Sequence, residues 1–119
     1  MRTQNGPLHH IRVLELGSLI AGPFAGQLLG DYGAKVIKVE PPTGDPMRTW
    51  GVCHEGQGLW WTSIARNKSS VVLDLRSAEG QAAARRLAAT ADIVIENFRP
   101  GQVERWGLGY EELAVDNPG

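Results

Sequence analysis

The sequence predicts an α/β protein in which helices cover a mostly parallel sheet. Three observations carry this. Residues 11–45, IRVLELGSLIAGPFAGQLLGDYGAKVIKVEPPTGD, read as strand, glycine-containing turn, helix, strand and acidic end. Strand-like and helical patterns keep alternating after that unit, as β-α-β connections require. The trio Ile93-Val94-Ile95 is uninterrupted, as expected of a strand buried on both faces of a parallel sheet.

Val13, Leu14 and Leu16 mark the first strand, which runs into a turn bounded by Gly17 and Gly22. Pro23 stands where a first helical residue belongs, because its missing N–H would be unpaired there anyway. Phe24, Ala25, Leu28 and Leu29 recur at helical spacing and predict the apolar face, and Gly33 supplies the stop. Val36, Ile37 and Val39 form a second strand ending at Glu40, joined to the first by a right-handed crossover. Residues 41–46, PPTGDP, predict a loop, since three prolines and a glycine rule out continuous helix or strand. That loop extends to Gly58, a length at which a structureless segment is usually functional or disordered. Residues 59–65 predict a short helix with Trp60, Trp61 and Ile64 turned inward, broken by RNKSS at 66–70. Residues 71–75, VVLDL, form the third strand. Ser77 caps the next helix, Glu79 complements its dipole, and Ala83, Ala84, Leu87 and Ala88 line one face. Residues 91–96 hold the fourth strand, NFRPG at 97–101 turns the chain, and 102–106 and 110–115 make two short helical pieces. Residues 1–10, polar with Gly6, Pro7 and two histidines, read as an extended segment ahead of a single domain over residues 11–119.

Composition narrows the function. With 119 residues, 42% hydrophobic and 21% charged, the chain is an ordinary globular domain. A net charge of −1 gives no general electrostatic reason to expect nucleic acid or anionic lipid, so any anion site must be local. The single cysteine, Cys53, has no second Cys for a disulfide or at metal-ligand spacing, and a reducing, cytoplasmic setting is expected. MRTQNGPLHH lacks the apolar core of a signal peptide, and no run of ~18 apolar residues predicts a membrane span.

In open α/β sheets, ligands bind at the carboxyl ends of the strands. Those ends fall at residues 17–22, 40–45, 75–76 and 97–101. The 17–22 turn, GSLIAG, has the two-glycine spacing of a P-loop but Pro23-Phe24 in place of Lys and Ser/Thr. There is no G-x-G-x-x-G either, although Glu40 sits where a dinucleotide fold places its ribose-binding acid. A structural tight turn and a ligand-cradling loop both fit these residues. Asp45 and Arg48 read as a self-satisfied turn. Arg76, Arg99 and Arg105 flank strand ends, where guanidinium groups could meet a diphosphate, although solvated surface charge is the default reading. Cys53 and His54 are adjacent, which does not make a nucleophile and base, because neighbouring loop side chains seldom face each other. Trp60 and Trp61 read as packing, and His9-His10 as solvent-exposed.

Three segments, VLELGSLIAGPFAGQLLGDYGAKVIKVEPPTGDPMR, RNKSSVVLDLRSAEG and ADIVIENFRPGQVERWGLGYEEL, together resemble the N-terminal part of class III CoA-transferases, a family that includes formyl-CoA transferase and carnitine CoA-transferase. The ordered combination is specific: AGP after the first strand, KVIKVE at the second, GDPMR in the loop, NKSS before the third and ENFRPG after the fourth. The resemblance implies a Rossmann-like fold, of which this chain would be the incomplete N-terminal part within a larger CoA-transferase domain. It further implies that Leu19, Ile20, Ala21, Leu73, Arg76, Asn97, Phe98 and Arg105 line a pocket for coenzyme A or acyl-CoA. Arg76 and Arg105 would hold the nucleotide phosphates, and the Asn97-Phe98 turn would lie near the pantetheine or thioester end. No metal is implied.

The same resemblance implies transfer of CoA from an acyl-CoA to a free carboxylic acid through an attacking aspartate. That aspartate lies beyond residue 119, and none of Asp31, Asp45, Asp74, Asp92 or Asp116 takes its place, so no catalytic residue is assigned and the chain alone is expected to be inactive. The chain stops about one-third of the way along the family's length and reads as an N-terminal fragment. Ile20 stands where formyl-CoA transferase has a glutamine, and Pro41 where it has a basic residue, which favours a different acyl group, dicarboxylic or branched. An α-methylacyl-CoA racemase fragment is the nearest alternative, and racemases tend to have a glycine at the position of Asn97, so Asn97-Phe98 favours the transferase. A dinucleotide-binding or interaction module without CoA chemistry is the other alternative. Family members form interlocked homodimers, and neither nucleic acid nor membrane is implied as a partner.

Overall fold

The computed structural model describes residues 6–119. Four parallel strands form one sheet in the order β5-β2-β1-β6, where β1 is Arg12–Glu15, β2 is Lys35–Glu40, β5 is Lys68–Val72 and β6 is Ile93–Ile95. Register pairs Val13 with both Val36 and Ile93, and Leu14 with both Ile37 and Val94. Because side chains alternate along a strand, the sheet has two distinct faces. Leu14, Leu16 and Val39 point to one, where α3 (Ala78–Ala88) brings Ala84 and Ala88 and the segment after β6 adds Val103 and Leu108. Val13 and Val36 point to the other, under α1 (Ala21–Asp31), with Leu29, Ile93 and Ile95 around them. The mostly parallel sheet flanked by helices is therefore present as expected.

Helix α1 sits on the sheet differently from its apolar pattern. Phe24 and Leu28 are 48% and 43% exposed, while Gly22, Gly26 and Gly30, one turn apart, face inward. A Cβ on Gly26 would run into Glu15 Oε1, and one on Gly30 would lie 3.3 Å from Asn67 Cβ. The glycine stripe lets the helix backbone approach the sheet closely, so Phe24 and Leu28 are left outside while Leu29 still reaches Val13 and Val36. The helix ends at Tyr32, with Gly33 at φ +103°.

The third strand lies earlier than expected, at Lys68–Val72, so Lys68, Ser69 and Ser70 are strand residues and not a break. Ser70 finds the buried Glu40 carboxylate on neighbouring β2, and Lys68 reaches across to Glu15 on β1, which makes polar residues fit this edge position. On β6, Val94 is 37% exposed because, among the described residues, this strand pairs only with β1; it is not buried on both faces.

The 41–58 segment is more ordered than a structureless loop. It holds a 3-10 helix at Pro46–Thr49 and a small hairpin of β3 (Cys53–His54) and β4 (Gln57–Gly58). Glu55 and Gly56 close that hairpin with φ of +51° and +79°, the two left-handed residues of a type I′ turn. In α2 (Leu59–Ile64), Trp61 and Ile64 are buried with Met47, but Trp60 is exposed against Trp50. Ser77 caps α3 by accepting the Gly80 amide at 3.0 Å. Two short helices follow β6, α4 (Gln102–Arg105) and α5 (Tyr110–Asp116). Of the extended segment expected over residues 1–10, residues 1–5 lie outside the described residues, and residues 6–10 are hydrogen-bonded turns, with the His9 amide on Gly6 O and the Ile11 amide on Leu8 O. No helix among the described residues is long and apolar enough to cross a membrane.

Candidate functional site

The carboxyl ends of β1, β2 and β5 open into a cleft of about 260 Å³. Leu16, Gly17 and Ser18 form one wall, Pro41, Thr43, Gly44 and Pro46 a second, and Leu73, Asp74, Leu75 and Arg76 a third. Phe98 and Trp106 close it, edge to face with ring centres 5.1 Å apart. The lining is largely apolar. Arg76 supplies a guanidinium at the rim, mostly exposed, with Nε 3.4 Å from Asp74 Oδ1.

Among the eight residues expected at the site, Leu73, Arg76 and Phe98 are brought together here. Leu19, Ile20 and Ala21 follow Ser18 on the exposed rim of the same turn and do not line the cleft. Asn97 does not line it either: its Oδ1 accepts the Ser18 amide at 3.0 Å and its Nδ2 donates to Ser18 O at 2.9 Å. Gly17 is required there, because a Cβ would overlap Asn97 Oδ1. Arg105 is exposed in the last turn of α4, outside the cleft lining.

Under the 17–22 turn lies a buried ionic layer that reading the strands separately does not find. Lys38 Nζ donates to Glu15 Oε2 at 2.8 Å and to Gly17 O at 3.1 Å, and meets Asp45 Oδ2 at 2.7 Å. Lys68 Nζ meets Glu15 Oε1 at 2.6 Å and donates to Pro23 O at 2.7 Å. Two carboxylates and two ammonium groups thus neutralise one another, which a buried charge requires. Burial still pushes the Lys68 ammonium below its usual range, with Glu15 pulling it back. The trace in the sequence is a charge at single positions of otherwise apolar strands: Glu15 between Leu14 and Leu16, and Lys38 between Ile37 and Val39.

Glu40 and Arg48 form the adjoining pair. Both Glu40 oxygens accept from Arg48, at 2.7 Å each; Oε1 also accepts the Asp45 amide and Oε2 the Ser70 hydroxyl. Glu40 is thus engaged within the chain, not turned toward a ribose. Asp45 and Arg48, expected to satisfy each other, instead take Lys38 and Glu40 as partners. Cys53 is exposed on β3, with Sγ 3.5 Å from Thr49 O.

Residues 8–119 match the family model described as CoA-transferase family III. The chain belongs to that family. Similar to this family III chain is the succinyl-CoA–D-citramalate CoA-transferase of Chloroflexus aurantiacus, 61% identical over 95% of this chain and 29% of that protein. The succinate–glutarate CoA-transferase of Agrobacterium fabrum is 47% identical over 99% of this chain and 32% of that protein. Among solved structures, a CAIB/BAIF family protein from Brucella suis superposes with a TM-score of 0.87 at 46% identity, over 95% of this chain and 31% of that one. This family III chain therefore spans about three-tenths of the length of the relatives it matches.

Proposed function

We propose that this chain is the CoA-binding portion of an acyl-CoA:carboxylate CoA-transferase, acting on a succinyl-type thioester and a small dicarboxylic acceptor. The cleft at the strand ends carries the reading. Its apolar lining suits the pantetheine arm, Arg76 at the rim is mostly exposed and held, among the described residues, only by a 3.4 Å contact to Asp74, and the exposed turn at Leu19, Ile20 and Ala21 borders the same opening. The names of the similar proteins support the substrate class, since both contain a succinyl or succinate partner. Arg105 and Asn97 act at a distance from the cleft in this reading, Arg105 as an exposed second cation on α4 and Asn97 as the clasp of the turn. The attacking aspartate of such a transfer is not among residues 1–119, so the chain alone binds CoA without turnover. We place the enzyme in the cytoplasm as a homodimer, supported by an unpaired exposed Cys53 and by the outward apolar residues Phe24, Leu28 and Trp60.

Calorimetry of the 119-residue chain with CoA and with NAD tests the reading. CoA is expected to bind and NAD not. Arg76→Ala should weaken CoA about tenfold or more, the usual effect of losing a charge-assisted contact. Binding of NAD in preference to CoA would overturn it.

A further inference from the structure

One carboxylate sits behind the cleft walls and touches none of the space inside. Asp45 is 3% exposed, while its neighbours Gly44 and Pro46 line the cleft from one side and Gly17 and Ser18 from the other. Its Oδ1 accepts the Leu19 amide at 3.1 Å and the Met47 amide at 2.9 Å, one from the segment that continues each wall. Its Oδ2 meets Lys38 Nζ at 2.7 Å, and Lys38 donates to Gly17 O at 3.1 Å. The turn is therefore gripped twice, directly at Leu19 and through Lys38 at Gly17.

Leu19 is where that grip matters. Its φ of +65° is a left-handed conformation that a leucine adopts only when its surroundings impose it. The Asn97 clasp ends at Ser18, one residue earlier, and α1 begins at Ala21. Between those anchors, the bond to Asp45 is what fixes the Leu19 peptide. A neutral acceptor would satisfy the amide but would leave the buried Lys38 ammonium with Glu15 as its one carboxylate partner.

We propose that Asp45 is a positioning residue for the strand-end cleft: it holds the 17–21 turn in its left-handed form and sets its distance from the 43–46 loop. It does so without contacting the ligand. The functional part of the assignment rests on the cleft being the CoA site, so the test has one arm that needs no ligand.

In that arm, amide exchange is followed in the ¹⁵N-labelled chain. Leu19 should be protected in the wild type and exchange at least about tenfold faster in Asp45→Ala, with the β1 and β2 amides unchanged; Asp45→Asn, which keeps an acceptor oxygen, should fall between them. In the second arm, CoA binding should weaken about tenfold or more in Asp45→Ala and by less in Asp45→Asn, since the Asn side chain restores the amide contact but not the charge. A Leu19 amide that exchanges freely in the wild type, or equally fast in wild type and Asp45→Ala, overturns the grip. Wild-type CoA affinity in Asp45→Ala despite faster Leu19 exchange overturns the positioning role. If the wild type fails to bind CoA, the CoA reading fails and the exchange arm still decides the grip. Should Asp45→Ala lose protection throughout β1 and β2, the wild type and Asp45→Asn carry the comparison, and equal Leu19 exchange in those two overturns the need for the charge.

Discussion

Each oxygen of Glu40 meets two donors, and this fixes its protonation. The Arg48 hydrogen bonds do most to hold its carboxyl down, to about 2 from an ordinary 4.5; the Ser70 hydroxyl and the Asp45 amide add to this, against opposition from burial. A carboxylate with a folded pKa below its unfolded value stabilises the fold fully above the unfolded value. That stability is lost as pH falls from about 4.5 to about 2. Arg48 is half exposed, so water screens the pair, and the contribution is on the order of 2 kcal/mol. Denaturant unfolding of wild type and Glu40→Gln should therefore differ by about that amount near neutral pH, with the gap closing toward pH ~2. A gap independent of pH would show that the charge is not what Glu40 contributes.

At the scale of elements, α1 is the informative case. An alanine normally favours a helix interior over glycine by about 1 kcal/mol. Gly26→Ala is nevertheless expected to destabilise by about 1–3 kcal/mol, because the new methyl overlaps Glu15 Oε1 and disturbs the ionic layer with Lys38 and Lys68. Gly30→Ala meets only Asn67 at 3.3 Å and Val36 at 3.5 Å, and should cost clearly less in thermal unfolding. Equal melting temperatures for the two variants would contradict the close-approach account. The same helix shows what its sequence conceals. Its existence and stop are legible from the periodic apolar residues and Gly33, but it starts at Ala21, two residues before Pro23, and most of its buried face is glycine, which gives no hydrophobic signal. Lys68 and Ser70 in β5 fail to read as strand for a related reason: their partners, Glu15 and Glu40, are far away in sequence. Arg76 is legible from the strand-end rule, whereas Leu73 and Phe98 enter only through the family resemblance; the strand read at 71–75 ends at Val72, and its cleft-lining tail follows it. Asp45 in its positioning role is not legible, because that role depends on Leu19 and Lys38 arriving from two other segments.

For the molecule as a whole, the two edges of the sheet differ in chemistry. The β5 edge is polar in its first half, with Lys68 turned inward onto Glu15, Ser70 bonded to Glu40 and Ser69 exposed, and it ends in Val71 and Val72. Inward-pointing charge discourages pairing with another sheet. The β6 edge presents Ile93, Val94 and Ile95 and, among the described residues, is paired only on its β1 side. Phe24, Leu28, Trp60 and Val94 add outward apolar surface to a body of 43 × 33 × 22 Å. An unpaired apolar edge is a template for a further strand, so the 119-residue chain should self-associate as its concentration rises. Sedimentation velocity from about 10 to about 300 μM reads this, a range in which weak contacts between small domains become visible. Val94→Lys places a charge at a position already 37% exposed, on the cavity it shares with Ala88, Ala91 and Val103, so it should shift the weight-average mass toward monomer while the chain stays folded by circular dichroism. If Val94→Lys associates as the wild type does, the contact lies elsewhere, and Phe24→Ser on the outer face of α1 becomes the variant that should release the monomer.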